Sequence, residues 1–468
     1  MKDGGKVIAS GGYGCIFKPA LKCKNDDNNY DNGISKLMTT KNTKIEYKEI
    51  QKFLKYLKRI PNYEKYFIVP YTICDPQPLS EEDKEYFNNK CKPLVDKNIN
   101  SNNINRNLQK VKLLQLPYGG INIEKTISEI NSVKEIKKLN KKLINLLKHG
   151  IITMNSLHIY HSDVKGENIL YGDDGELRII DWGLSYYVKK KNVIHEKAAH
   201  RPLHFNLPYT NILLNFDVIA KIHEYYDRCN DNNISITIDS VKDFFIDYYE
   251  QDFKYNYGEG HEKFIYNQMD NYFIRGSTST NGKNELFRYI GKAIYKFTSY
   301  VNGKALFDVR KYFYNVYLKN VDVWGFLSIY FSFIFNTYSS PTIKLFQNKL
   351  REIILYHLLG SCDKPISLKE LSRDLNNLDK ILLLTGNNIF DLTVSNVTIP
   401  NSIQGTITKS ISFDYVTKNR RTKRKIQRLF NNTSKTVKST KEKINNNTRK
   451  RCPNGTRRRK IDGICIPK

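Results

Sequence analysis

The stretch HSDVKGENIL, residues 161–170, places a His, an Asp, a Lys, a Glu and an Asn within eight positions and then turns apolar. An ordinary polar turn entering a strand has the same composition, so the reading depends on what flanks it. Downstream, ILYGDDGELRIIDWG (169–183) reads as a strand, a turn containing Asp-Gly and a second strand ending at Asp181. Such a hairpin brings Asp163, Asn168 and Asp181 to one end. An acid, an amide and an acid together supply the oxygen donors that a hard divalent cation and an attacking hydroxyl require.

Upstream, Ile136, Leu139, Leu143, Leu147, Met154 and Leu157 recur at helical spacing, predicting one long helix that delivers the chain to residue 161. Before it, KVKLLQLPYGG (110–120) is an apolar strand stopped by Pro117 and a Gly pair, a hinge between two parts of the chain. KIEYKEIQKFLKYLKRIP (44–61) carries Ile50, Phe53, Leu54 and Leu57 on one helical stripe and ends at Pro61. Glu46 falls on that inward stripe and Glu49 toward its edge. An acid on the buried side needs a cation, and Lys36 in GISKLM (33–38) is the expected partner of Glu46, with Glu49 as the alternative. The competing reading makes Glu46 a solvated first-turn acid favoured by the helix dipole. Near the start, VIASGGYGCIFKP (7–19) sets Gly11, Gly12 and Gly14 between strand-like segments, with Ile8, Ala9, Tyr13 and Ile16 around them. A turn of that kind lets backbone amides approach a phosphate without side-chain obstruction.

A chain of 468 residues with 40% hydrophobic and 12% aromatic content has room for two or three domains and a real core. The formal charge of +29 is uneven: residues 418–468 hold nineteen Lys or Arg against Glu442 and Asp462, an excess of +17. Cationic runs such as KNRRTKRKIQR (418–428) attract polyanions. Eight Cys without a C-x-x-C pair argue against a zinc module or a disulfide scaffold in the main body, and a reducing compartment is the expectation. No apolar leader opens the chain, so secretion is not expected. FLSIYFSFIF (326–335) is about half the length a membrane span needs, so a buried helix and no membrane insertion are expected. The Asn-rich stretches KCKNDDNNYDN (22–32), KNINSNNINRN (97–107) and NNTSKTVKSTKEKINNN (431–447) lack apolar density and are expected to be loops or unstructured. His195, His200 and His204 are too irregularly spaced for a zinc site and read as packing or surface residues.

Taken in order, Gly11 to Gly14, Lys36, His161, Asp163, Lys165, Asn168, Asp181-Trp182-Gly183 and DVWG at 322–325 resemble the eukaryotic-type serine/threonine protein kinase family over roughly residues 5–380. Through ISKL around Lys36 and HFNLPY (204–209) the chain is most similar to the divergent kinases of large nucleocytoplasmic DNA viruses. The resemblance implies an α+β, bilobal fold. A small antiparallel sheet with one helix would occupy residues 1–118. A mostly helical lobe would occupy 119–385, with a helical insertion over about 211–320. A linker (386–417) and a disordered basic tail (418–468) with a Cys-containing C-terminal module would follow.

The same resemblance implies ATP and Mg²⁺ as cofactors. Ile8, Ala9, Gly11, Gly12, Tyr13, Gly14 and Ile16 would cover the nucleotide, and Lys36 with Glu46 would hold its α and β phosphates. Asn168 and Asp181 would bind Mg²⁺. Asp163 would accept the hydroxyl proton of a protein substrate, and Lys165 would neutralise the transferring group, the mark of Ser/Thr specificity. His161 is a packing residue in this reading, Trp182 needs a partner for its indole N–H, and Asp322 ties down the loop. Two departures stand out besides Ala9 in a glycine position. Ser162 replaces an Arg that reads loop phosphates, and residues 188–207 contain no Ser or Thr. Activity independent of loop phosphorylation is therefore expected, with Ser185, Tyr186 and Tyr187 the remaining acceptors. RCPNGTRRRKIDGICIP (451–467) resembles a short module of giant-virus virion proteins, with Cys452 and Cys465 either bonded or free thiols. The tail would engage nucleic acid or acidic virion components, and the protein would act in the host cytoplasm, the virus factory or the virion. The reading from another class is a kinase-fold scaffold that binds partners through insertion and tail without catalysis.

Overall fold

Strand-forming apolar runs at the N-terminus build the first sheet. The computed structural model describes residues 5–24, 33–188, 193–273, 282–382, 456–458 and 465–467. Contacts divide the chain into two units, Met1–Ile411 and Ser412–Lys468. In the first unit β1 (Lys6–Ser10), β2 (Gly14–Lys18), β3 (Gly33–Thr39), β4 (Thr72–Cys74) and β5 (Val111–Pro117) form an antiparallel sheet of order β1-β2-β3-β5-β4. Helix α1 (Thr40–Leu57) leaves β3 directly and buries Ile50, Phe53 and Leu57. Register pairs Lys36 with Ile16 on one side and Leu114 on the other, fixing the lysine at the centre of the sheet.

Val7, Phe17, Leu37 and Leu113 of the sheet pack against residues 79–104, where three short helices (Glu81–Lys84, Phe87–Lys90 and Lys92–Val95) bury Leu79, Phe87 and Leu94. The Asn-rich stretch 97–107, expected to be a loop or unstructured, is an ordered loop of turns that belongs to this layer, with Ile99 and Ile104 buried. Its amides replace a backbone ladder: Asn105 accepts from Leu79 N and donates to Leu79 O, both at 2.8 Å, and Asn103 Nδ2 donates to Asn98 O at 2.9 Å. Composition records polarity but not whether a side chain will satisfy main-chain groups locally. Residues 25–32 and the Asn-rich part of the tail lie outside the described residues.

A second correction concerns cysteine. Cys15 is bonded to Cys91 and Cys23 to Cys74, with Cα–Cα distances of 5.2 and 5.7 Å, so one bond staples β2 to the following layer and the other ties the segment after β2 to β4. Partners 76 and 51 residues apart leave no local spacing signal, and only the folded sheet brings them together. Cys229 and Cys362 are free and buried.

The rest of the unit is mainly helical. After β6 (Ile121–Asn122) come α2 (Ile123–Glu129) and α3 (Val133–Asn145). The expected single helix is interrupted: Leu146–Ile151 is a π-helical turn before Ile152–Ser156. Gly150 sits in that turn against Tyr66, where a Cβ would lie 3.2 Å from the tyrosine's own Cβ. Strands β7 (Ile159–Tyr160), β8 (Ile169–Tyr171), β9 (Leu177–Ile179) and β10 (Tyr186–Tyr187) frame the 161–168 loop, with β8 and β9 forming the expected hairpin and β7 pairing with β10.

The insertion holds α4 (Phe216–Asp231), α5 (Ile238–Tyr248), α6 (Glu262–Phe273) and α7 (Gly282–Lys296). It is not wholly helical, because β11 (Thr298–Val301) and β12 (Lys304–Phe307) make a hairpin on Asn302 and Gly303, both at positive φ. The Asn-Gly pair between strand-forming residues is the signal for that turn. Helices α8 (Leu318–Ile329), α9 (Pro341–Leu359) and α10 (Leu368–Ile381) complete the unit. DVWG lies inside α8, and the apolar run 326–335 ends in a separate helix, Phe331–Phe335. No described helix is long and apolar enough to cross a membrane. In the second unit, expected to be disordered, β13 (Thr456–Arg458) pairs antiparallel with β14 (Cys465–Pro467), and Cys452 lies outside the described residues. The fold is α+β, with a small antiparallel sheet and a predominance of helix.

Non-reducing peptide mapping should recover 15–91 and 23–74 linked fragments. Reduction should lower stability by about 4 kcal/mol per bond, the loop-entropy value for closures of this length, read as a drop in denaturant midpoint. An unchanged midpoint under reductant would refute the staple.

Candidate functional site

The 161–168 loop is held from beneath by Asp322 of α8, which is 1% exposed. Its Oδ2 accepts from His161 N at 2.9 Å and Asn155 Nδ2 at 2.7 Å, and its Oδ1 from Ser162 N at 2.7 Å. Burial pushes this carboxyl above its ordinary range, against the opposing pull of His161 and those hydrogen bonds. Ser162 is in the left-handed region at φ 60°, a conformation that a non-glycine residue keeps only when its neighbours impose it. Gly325, one turn beyond Asp322, lets α8 approach closely: a Cβ there would lie 2.5 Å from Val164 O.

Aromatic packing then joins the loop to α1. His161 Nε2 meets Ile180 O at 2.9 Å, and its ring stands edge-on to Trp182 at 5.3 Å. The Trp182 indole finds its partner in Ile68 O at 3.0 Å, and the ring packs against Phe53 of α1 and against Phe67. Asp181, at φ 64°, starts this turn by accepting from Gly183 N at 3.2 Å.

Around Asp163 the bonding is dense. Asn168 Nδ2 donates to its Oδ2 at 2.9 Å and to its backbone oxygen at 2.8 Å. Asn206 Nδ2 donates to Oδ1 at 2.9 Å, and Arg201 Nη2 lies 3.6 Å from the same atom. Lys165 Nζ stands 3.9 Å from Asp163 Oδ2 and 2.9 Å from Glu167 Oε2. Burial lowers the Lys165 pKa, but Asp163, Glu167 and Asp181 outweigh it and hold the ammonium above its ordinary value.

On the sheet side Lys36 Nζ donates to Glu46 Oε1 and Oε2 at 2.8 and 2.9 Å. Burial pulls this lysine down too, and the charges of Glu46 and Asp181 with the Glu46 hydrogen bond more than reverse it. Glu49 turns instead to Lys52 and, at 3.0 Å, to Lys197. Between β1 and β2, Gly11 N donates to Gly14 O at 2.8 Å, closing a turn whose tip Tyr13 is 54% exposed. Ala9 sits at a β-bulge with Ile8 exposed beside it, Gly12 is exposed, and Ile16 is half-buried opposite Lys36. Gly14 packs too tightly on Leu37 and Met38 to admit a Cβ.

The donor set suits a hard cation. The Asn168 amide nitrogen is spent on Asp163, leaving its oxygen, and Asp181 supplies a carboxylate. Among the described residues no group of three or more His, Cys, Asp or Glu is placed to hold a metal ion by itself. Two or three protein oxygens fit an ion that fills the rest of its shell from phosphate and water. Arg201, Asn206 and Lys197 escaped the sequence reading. Asn206 lies inside the HFNLPY motif, while nothing local marks Lys197 or Arg201. The three histidines serve packing: His195 stacks on Tyr186, His200 meets Phe216, and His204 is buried edge-on to His261.

Glu124 of α2 packs over Gly166, where a Cβ would collide with its side chain. Burial, then the charge of Glu167, raises its pKa to about 7, with Lys165 opposing. Compared with models of protein families and with curated proteins, the chain matches none.

A carboxyl raised in the folded state binds more protons folded than unfolded, so stability falls as pH rises from its ordinary value of 4.5 to about 7. Glu124→Gln should therefore raise the melting temperature at pH 8 by more than at pH 5. An equal effect at both pH values in differential scanning fluorimetry would show that Glu124 titrates normally.

Proposed function

We propose that the protein is an ATP- and Mg²⁺-dependent protein kinase acting on Ser or Thr hydroxyls, with the sheet and α1 as the small lobe and the helical part as the large one. The observation that carries this reading is a single shared field. Asn168 bonds the Asp163 carboxylate at 2.9 Å, and the Asp181 charge acts on both Lys36 and Lys165. With Lys165 3.9 Å from the Asp163 carboxylate and Asp181 within electrostatic reach of both lysines, the charges present are those that positioning and neutralising a phosphoryl group would use.

In this mechanism the turn at Gly11–Gly14 would cover the phosphates and Lys36, steadied by Glu46, would hold the α and β groups. Mg²⁺ held by Asn168 and Asp181 would neutralise phosphate charge. The substrate hydroxyl oxygen bonds to the γ phosphorus, its proton passes to Asp163, and the bridging P–O bond to the β phosphate breaks to release ADP. Asn168 and Asn206 aim the Asp163 carboxylate from either oxygen. Lys165, 3.9 Å from it, neutralises the group in transit. The motifs ISKL and HFNLPY, which resemble those of giant-virus kinases, support a viral protein, and the two disulfides favour an oxidising setting such as the virion over the reducing cytoplasm.

With labelled ATP, Mg²⁺, and histone and casein as acceptors, Asp163→Asn should transfer on the order of 10²-fold less phosphate than wild type. Equal incorporation by the two proteins would sink the assignment. The +17 excess of residues 418–468 supports a second, electrostatic activity toward polyanions. Deleting that segment should remove most salt-sensitive retention on a DNA column and leave transfer intact. Unchanged elution on a salt gradient would count against it.

A further inference from the structure

Residues 193–207 send two cations outward to groups that build the site. Lys197 Nζ donates to Glu49 Oε2 at 3.0 Å and to Ser185 O at 3.0 Å. Glu49 is shared with Lys52 and lies one turn beyond Glu46, the residue that holds Lys36. The lysine thus ties α1 to the chain that follows Trp182. Arg201, 4% exposed, donates through Nη1 to Ser162 O at 2.5 Å and to Ser162 Oγ at 3.3 Å, and its Nη2 stands 3.6 Å from Asp163 Oδ1. Asp322 takes the N–H of Ser162 and Arg201 its carbonyl, so both polar groups of this left-handed residue are held. The backbone around Arg201 is itself fixed, since Asn211 Nδ2 donates to Arg201 O at 3.2 Å and to Pro202 O at 3.0 Å.

Phosphorylation orders a segment when the new anion finds a cation on the surface beneath it. Here the charges are reversed: the segment carries the cations, and Glu49 and Asp163 are the anions they meet. A phosphate on this face would compete with those two carboxylates. Residues 188–207 offer no Ser or Thr, Ser185 and Tyr186 are buried, and Tyr187 is half-buried with its ring stacked on Tyr56 of α1.

Resting on the phosphoryl-transfer reading, we propose that Lys197 and Arg201 are positioning residues that clamp residues 193–207 to α1 and to the 161–168 loop, so that built-in cations assemble the site without a phosphate on that segment. Lys197 aligns the Lys36–Glu46 pair through Glu49, and Arg201 sets Ser162 and hence Asp163.

The test uses the full-length protein after phosphatase treatment, its unmodified state verified by intact mass, with labelled ATP, Mg²⁺ and casein. Lys197→Glu and Glu49→Lys should each lose roughly tenfold or more in transfer, while the charge-swapped double variant and Lys197→Arg recover most of it. Melting curves separate misfolding from misalignment, and Lys197→Met replaces Lys197→Glu in the comparison should the latter unfold. Undiminished transfer by the single variants, no recovery in the double variant, or loss of wild-type transfer on phosphatase treatment would each overturn the clamp. Asp163→Asn run alongside distinguishes the two failures: if it matches wild type, the underlying reading falls instead.

Discussion

The site depends on one buried carboxylate. Asp322 holds the amides of His161 and Ser162 and the side chain of Asn155 while almost fully removed from water. A carboxylate in that position costs several kcal/mol of lost hydration unless its lone pairs are satisfied, and charge-assisted hydrogen bonds return about 1.5–3 kcal/mol each. Three such bonds offset part of that cost, burial still holding the carboxyl above its ordinary range, and have a geometric result. Two consecutive amides aimed at one carboxylate hold Ser162 left-handed, which turns Asp163 toward Asn168 and Asn206. Gly325 allows this by letting the helix backbone come against Val164 without a Cβ between them.

From that anchor the structure propagates through packing. His161 stands on Trp182, Trp182 on Phe53, and Phe53 belongs to the helix that carries Glu46 to Lys36. Rigid, densely packed rings transmit position because a core relaxes poorly around displaced volume. The indole hydrogen bond to Ile68 O adds direction to this contact, since a ring without a donor would pack there with less orientational constraint. The cations of residues 193–207 act on the same two ends, Lys197 on α1 and Arg201 on the loop. Loop and helix are thus tied twice, once by apolar contact and once by charge.

The layer over residues 79–104 shows a different economy. Few of its residues are apolar, yet Leu79, Phe87, Leu94, Ile99 and Ile104 fill one face of the sheet, asparagine amides close the turns, and the Cys15–Cys91 disulfide ties its middle to β2. A cross-linked chain has fewer unfolded conformations to lose, which lets a small core hold a long excursion.

Local chemistry in the chain was enough to locate much of this. The Asp-Gly turn between β8 and β9, the inward stripe of α1 and the choice of Glu46 over Glu49 as the partner of Lys36 follow from periods of two and 3.6 residues, which depend only on near neighbours. The Asn-Gly hairpin was equally local and was hidden by the helical composition around it. Lys197, Arg201 and Asn206, the two disulfides and the π turn at Gly150 depend on groups between 12 and 148 positions away along the chain, and no window of sequence contains both partners of most of them. The sequence alone determined which side chains could do chemistry and which segments would be helix or strand. Tertiary structure decided which charges face one another, because Coulomb attraction and hydrogen bonding act over a few ångströms of space and take no account of distance along the chain.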